Sequence, residues 1–177
     1  MVRNSNSGRE NQRKKQAGEY IVAAELCRRS FFATTFTGNM PDFDILAIDD
    51  FGNSKKIQVK TKTTDNWNLN ANKFLEIEKI EDKTNIIQRI VGFNKSVDTS
   101  IIFVFIDLNQ NQSQDAIQTC DFFLIKTPDL QKIMRENYEN HLEKHGGVRP
   151  KNSKSVHTKV TKEDLIDYRD NWKILYT

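Results

Sequence analysis

Phe43-Asp44-Ile45-Leu46-Ala47-Ile48-Asp49-Asp50-Phe51-Gly52-Asn53-Ser54-Lys55-Lys56-Ile57-Gln58-Val59-Lys60-Thr61-Lys62-Thr63 reads as two strands joined by a short turn. Phe43 to Asp49 forms one arm, Asp50-Phe51-Gly52-Asn53 the hairpin connection, and Lys55 to Thr63 the return. Strand side chains alternate between faces. Asp42 and Asp44 therefore share a face, with Phe43, Ile45 and Ala47 on the other. In the return arm Ile57, Val59 and Thr61 share a face, while Gln58, Lys60 and Lys62 take the opposite one. One face of the pair can thus present a carboxylate, an amide oxygen and an ammonium together.

That set has a chemical meaning. A hard cation such as Mg²⁺ takes oxygen ligands and keeps several waters. Asp44, the Gln58 side-chain oxygen and the Val59 backbone carbonyl could supply such ligands. A bound water is then easier to deprotonate, and the cation offsets charge on a phosphate. Lys60 would position that water and stabilise the negative charge that builds in the transition state. In-line attack on phosphorus would break a phosphodiester.

Upstream, Arg9 to Arg29 reads as one long helix. Ala17, Tyr20, Ile21, Ala24 and Cys27 fall on one face at helical spacing. Val22, Ala23 and Leu26 form a second apolar stripe, and Glu19 heads it. Glu25 lies on the narrow polar edge with Gly18, Arg28 and Arg29 and reads as solvated. A carboxylate facing an apolar surface needs a partner, either a metal ion or a nearby lysine.

Beyond the hairpin, Phe31 to Thr37 reads as a strand and Thr37-Gly38-Asn39-Met40-Pro41 as a turn. Trp67 to Ile77 is ambiguous, and Lys79 to Val91 is expected as a helix. Ile101 to Leu108 is a continuous apolar run, the pattern of a strand buried on both faces. Asn109 to Gln114 reads as a loop and Asp121 to Lys126 as a strand. Pro128 to Lys144 reads as a helix, and Gly146 to Lys159 as a basic loop. Thr161-Lys162-Glu163-Asp164 has the form of a helix cap, leading a short helix to Tyr168. The expectation is a single α/β domain over residues 1–177, with 1–8 as a flexible tail and a mixed sheet flanked by helices.

At these residues the chain resembles the PD-(D/E)XK nuclease superfamily, most of all its small Holliday-junction-resolvase-like and Mrr-like members. The matching pieces are Gly18-Glu19-Tyr20, Asp44-Ile45-Leu46-Ala47 and Gln58-Val59-Lys60-Thr61. The resemblance covers about residues 9–63. It implies a restriction-endonuclease-like core in αβββαβ order with a C-terminal helical extension. It also implies Glu19 and Asp44 as ligands of Mg²⁺ or Mn²⁺, and Lys60 acting at the scissile phosphate of DNA. Gln58 stands where most members carry an acid. A neutral ligand there lowers metal affinity, although the Mrr-like branch also uses Gln. Arg13, Lys14, Lys55, Lys56 and Lys62 are candidate phosphate contacts. Cutting both strands needs two centres, which makes a homodimer a plausible expectation. A non-catalytic DNA-binding module on the same scaffold, and an RNA nuclease, remain open alternatives.

Composition narrows the classes. The chain has 177 residues, a net charge of +3 and a mean hydropathy of −0.68. The N-terminal stretch lacks the apolar core of an export signal, so a cytoplasmic location is expected. The longest apolar run, Ile101 to Ile106, is too short for a membrane span. No P-loop or dinucleotide fingerprint is present, which argues against a nucleotide cofactor. Cations cluster at Arg3, Arg9, Arg13, Lys14 and Lys15, and again at Lys144, Arg149, Lys151, Lys154, Lys159 and Lys162. Such segments would suit a polyanion, but charge alone favours solvated tails and loops. Cys27 and Cys120 read as buried, reduced fillers, lacking the spacing of a zinc site. His141 and His145 stand four apart without an evident third ligand and read as a solvated helix face. Trp67, Phe74 and Trp172 could stack on bases, but packing is the default for each. Ser153, Lys154 and His157 lie in the basic loop, in reach of phosphates or plain solvent.

Overall fold

The computed structural model describes residues 5–36, 42–62, 66–82, 85–108 and 119–177. The turn expected at 37–41 and the loop expected at 109–114 lie outside the described residues.

Helix α1 (Ser5–Cys27) leads into strands β1 (Phe31–Thr35), β2 (Ile45–Asp49) and β3 (Ser54–Thr61). It reaches back to Ser5, so 5–8 are helical rather than tail. Next come β4 (Trp67–Asn70), a 3-10 turn (Ala71–Lys73), β5 (Leu75–Asp82) and β6 (Asn85–Phe93). Strand β7 (Ile102–Asp107), β8 (Asp121–Lys126), α2 (Thr127–Glu143) and β9 (His157–Val160) follow. Two 3-10 helices, Glu163–Tyr168 and Trp172–Tyr176, form the C-terminal extension.

The main sheet has five strands in the order β1-β2-β3-β7-β8. Strands β3 and β7 run parallel, and the other pairs are antiparallel, so the sheet is mixed. Helices cover both sides. Val22 and Leu26 of α1 pack with Ile45, Ala47, Ile57, Val59, Val104 and Ile106 on one face. Leu130, Met134 and Tyr138 of α2 pack with Phe103, Phe105, Phe123 and Ile125 on the other. This explains the unbroken apolar run in β7: every residue of that strand is buried, because each face meets a separate core.

Four expectations need correction. Lys79 to Val91 is not a helix but most of the β5–β6 hairpin. Its isoleucines are β-branched, which costs rotamer freedom in a helix, and they pair across strands instead as Ile80↔Ile87 and Ile77↔Ile90. The crossover from β3 to β7 therefore carries strands where the resemblance implied a helix. On α1 the apolar stripe of Val22 and Leu26 faces the core, while Tyr20 and Ala24 point outward. Cys27, on that outward face, is exposed, and Cys120 is half-buried. Glu25 is not a free solvated acid, since it pairs with Arg28 at 2.8 Å and with Arg29. Among the described residues, no helix is long and apolar enough to cross a membrane.

Candidate active site

Strand β2 begins at Ile45, and the chain just before it swings away from β3. Asp44 keeps one backbone bond to β3, from its N–H to the Ile57 carbonyl at 2.8 Å. Its side chain takes over where the ladder stops. Asp44 Oδ2 accepts the Val59 N–H at 2.8 Å and an N–H from the Gln58 amide. A residue's N–H and C=O point to the same edge of a strand. The Val59 carbonyl thus faces the edge that Asp44 occupies.

Glu19 arrives from α1, and Gly18 makes the approach possible. A Cβ at position 18 would collide with Thr61 Oγ1 and lie 3.1 Å from Ile106. The helix therefore rests directly on β3 and β7, with the buried Thr61 hydroxyl unbonded beneath it among the described residues. Glu19 and Asp44 keep only 16% and 14% of their side-chain surface. Burial, and next the Asp44 carboxylate, push the Glu19 carboxyl above its ordinary value. Lys15, one turn earlier on α1, opposes that shift. Its Nζ stands 3.6 Å from Glu19 Oε1 and 3.9 Å from Asp44 Oδ1. One positive atom thus sits between the two acids.

Lys60 projects from β3 on the same face as Gln58. It has no ion-pair partner within 4.0 Å among the described residues. Burial is the chief reason its ammonium is pushed down to about 8; Asp44 and Glu19 oppose this, while Lys15 and Lys73 add to it. Gln58 and Lys60 border a cavity of about 450 Å³ also lined by Leu69, Phe74 and Phe103, by Lys73, and by the carboxylates Asp42 and Asp98. A half-buried ammonium with no direct ion pair among the described residues, beside open space, has hydrogen-bond donors left over for an anionic ligand.

No protein-family model and no curated protein matches the chain. Among solved structures it is similar to the bacterial homing endonuclease I-Ssp6803I, at 11% identity and a TM-score of 0.46, over 93% of this chain and 91% of that one.

The structure brings Glu19, Asp44, Gln58, Val59 and Lys60 together, and it scatters the candidate phosphate contacts. Lys62 is buried against Asp107 at 2.6 Å, so it is not available to a phosphate. Lys56 pairs with Asp98 at 2.8 Å, and Lys55 donates to the Thr177 carbonyl at 2.9 Å. Lys14 pairs with Glu10 at 2.7 Å, while Arg13 is exposed on the outer side of α1. Trp67, Phe74 and Trp172 are all buried; Trp67 packs on Phe105 and Phe123, and Trp172 lies under the Arg29 guanidinium. Lys15 and Lys73 did not stand out in the sequence as site residues. The i, i+4 spacing of Lys15 to Glu19 was the available signal for the first. Nothing local marked Lys73, which reaches the site only through the fold.

The donor set fits a hard divalent cation. Among the described residues no trio of His, Cys, Asp or Glu converges. Two carboxylates would therefore have to be completed by neutral oxygens, from Gln58 and the Val59 carbonyl. The Lys15 ammonium shows that the gap between the acids accepts positive charge. The Gln58 amide now turns its N–H toward Asp44. A half-turn of that amide would present its oxygen instead.

Proposed function

We propose that this chain is a divalent-metal-dependent endonuclease that hydrolyses DNA phosphodiester bonds. One observation carries the reading: two half-buried carboxylates, an amide and a half-buried ammonium with no ion pair among the described residues meet where β2 and β3 lie side by side, next to a cavity. Glu19, Asp44, Gln58 and the Val59 carbonyl would hold Mg²⁺ or Mn²⁺. When bound, such a cation offsets phosphate charge and makes water more acidic. Lys60 donates hydrogen bonds to a phosphate oxygen and stabilises the charge added on attack. Asp44 is held in place by the Val59 N–H, so its second oxygen keeps a fixed direction. The Lys15 ammonium, on a side chain 60% exposed, would have to give up the space between the two acids to a bound cation and would then be free to contact the phosphate backbone. Two copies would be needed to cut both strands at one place.

The test is nicking of supercoiled plasmid with Mn²⁺, with EDTA, and with a parallel RNA substrate. Metal-dependent nicking of DNA is expected; preferred cleavage of RNA would reassign the substrate. A second reading, a DNA-binding module without catalysis, is favoured by one feature: Asp44 and Glu19 already have partners within the protein in Gln58, Val59 and Lys15. Tight DNA binding indifferent to EDTA, with no cleavage of any form, would establish that reading instead. Exchanging the amide for an acid, Gln58→Glu, adds a charged ligand and should tighten Mn²⁺ binding by about tenfold in calorimetry. No gain would remove Gln58 from the ligand set.

A further inference from the structure

Helix α2 ends at Glu143, and the chain turns back over its last turn. His145 and Gly147 both donate their N–H to the Leu142 carbonyl, at 3.0 and 2.8 Å. Gly146 and Gly147 take left-handed backbone angles that glycine adopts without strain. The loop that follows folds against the helix end and encloses a hollow of about 500 Å³. His141, His145, Arg149 and Lys151 line it, together with Pro150, Asn152 and Ser155. No carboxylate is among the described residues that line it.

We propose that this hollow binds phosphates of the nucleic-acid backbone at a distance from the cleavage centre. The proposal rests on the nuclease reading for its ligand, but on different residues. Cations at a helix C-terminus are common because they complement the helix dipole. Here they are gathered around a concavity instead of being spread over solvent. The two imidazole rings stand 4.7 Å apart, centroid to centroid. The guanidinium is fixed: Arg149 donates to the His157 carbonyl and lies 5.2 Å over the Tyr138 ring. Burial, then Arg149, His145 and Lys144, hold the His141 imidazole below its ordinary value. These groups repel one another, and a shared anion would relieve them.

Position selects the ligand. His157 is the common member: its carbonyl accepts from Arg149, and the residue is among those lining the cavity beside Gln58 and Lys60. Lys60 and Lys73 on one side of this link, where Asp42 and Asp98 also line the cavity, and Arg149, Lys151 and the histidine pair on the other give two places for phosphates. An extended polyanion spans both places, whereas a small anion fills one. The basic segment from Lys144 onward thereby acquires a place on the surface that sequence alone left as solvated loop.

The experiment measures binding of a fluorescent 30-base-pair DNA duplex to the full chain in EDTA by anisotropy, across a salt series. The variants are Lys151→Glu, and His141→Gln with His145→Gln. Lys151→Glu is expected to weaken binding at least tenfold and to lower the slope of log K against log salt by about one per lost phosphate contact. Because the His141 imidazole is held below its ordinary value by burial, Arg149, His145 and Lys144, lowering the pH from 8 to 5 should tighten binding by the wild-type chain as that imidazole gains charge. The histidine variant should lose that gain. Lys151 is exposed, so its variant answers the question even if the histidine variant fails to fold. Unchanged affinity and slope in Lys151→Glu would overturn this site while leaving Lys60-dependent nicking to judge the nuclease reading. Failure of the wild-type chain to bind the duplex at all would overturn both. Equal competition by inorganic phosphate at low millimolar concentration in wild type and Lys151→Glu would also count against the hollow.

Discussion

Lys60 and Lys62, two residues apart at the end of β3, take the same face of the sheet by strand alternation, yet they meet opposite surroundings. Lys62 Nζ lies 2.6 Å from Asp107, which also takes Lys162 at 2.7 Å. Asp121 then joins Lys162 and Arg169 at 2.9 and 2.8 Å. At that end of β3 every buried charge is answered by the protein, and the cluster ties β7 and β8 to the C-terminal extension. Lys60 is half-buried, but its nearest acids, Asp44 and Glu19, are shared with Lys15, and it opens on a cavity. The difference separates a cation that supports the fold from one that waits for a ligand. Burial costs a charge free energy in both places. Only at Lys62 does the fold return it.

The comparison can be broken at its most sensitive point. Lys60→Met should reduce plasmid nicking by roughly 100- to 1000-fold, the range for loss of a group that stabilises transition-state charge. The same change removes a half-buried ammonium with no ion pair among the described residues, so thermal melting should stay level or rise. A fall in melting temperature together with retained nicking would make Lys60 a structural residue. Asp107→Ala should do the reverse. It leaves the Lys62 and Lys162 ammoniums without their shared acid and should destabilise by about 3 kcal/mol, the low end for breaking a buried pair. Urea titration checks this, and nicking per folded molecule should hold. If stability does not move, the cluster is not what holds the extension.

A third lysine on β3 sharpens the lesson at the smallest scale. Lys56 pairs with Asp98, whose carboxyl is held at about 2 by the Lys56 bond and then by the Ser100 hydroxyl and N–H. A depressed carboxylate contributes stability at pH values above its unfolded pKa. That contribution is lost as pH falls through about 4 toward about 2. Both side chains are well exposed, so solvent screening leaves well under about 1 kcal/mol. Asp98→Asn should therefore flatten the acid limb of the stability curve only slightly. A large change would mean the pair is shielded far more than its exposure implies.

The same contrast shows how much could be read before the fold was known. Alternation in β2 and β3 was enough to put Asp44, Gln58 and Lys60 on one face, because side-chain direction in a strand is a local property. The buried β7 was legible from its unbroken apolar run. The hairpin of β5 and β6 was not, since its isoleucines suit either period until cross-strand partners choose one. The fate of each lysine was also hidden. Lys56, Lys60 and Lys62 are chemically identical in the sequence, and their partners Asp98 and Asp107 come from segments about 40 residues away.

What the sequence determined by itself was periodicity where one period clearly prevailed: the strands around Asp44, around Gln58 and from Ile101 to Leu108, and which of their side chains share a face. Glu19 could be marked as an acid on an apolar stripe for the same reason. The tertiary structure alone decided distance. Contact between α1 and β3 at Gly18, the Lys15 ammonium between two acids, and the histidine and arginine hollow behind β9 all depend on chain segments that meet only after folding. Local sequence sets direction through backbone geometry. Separation in space is set by packing, which belongs to the whole chain.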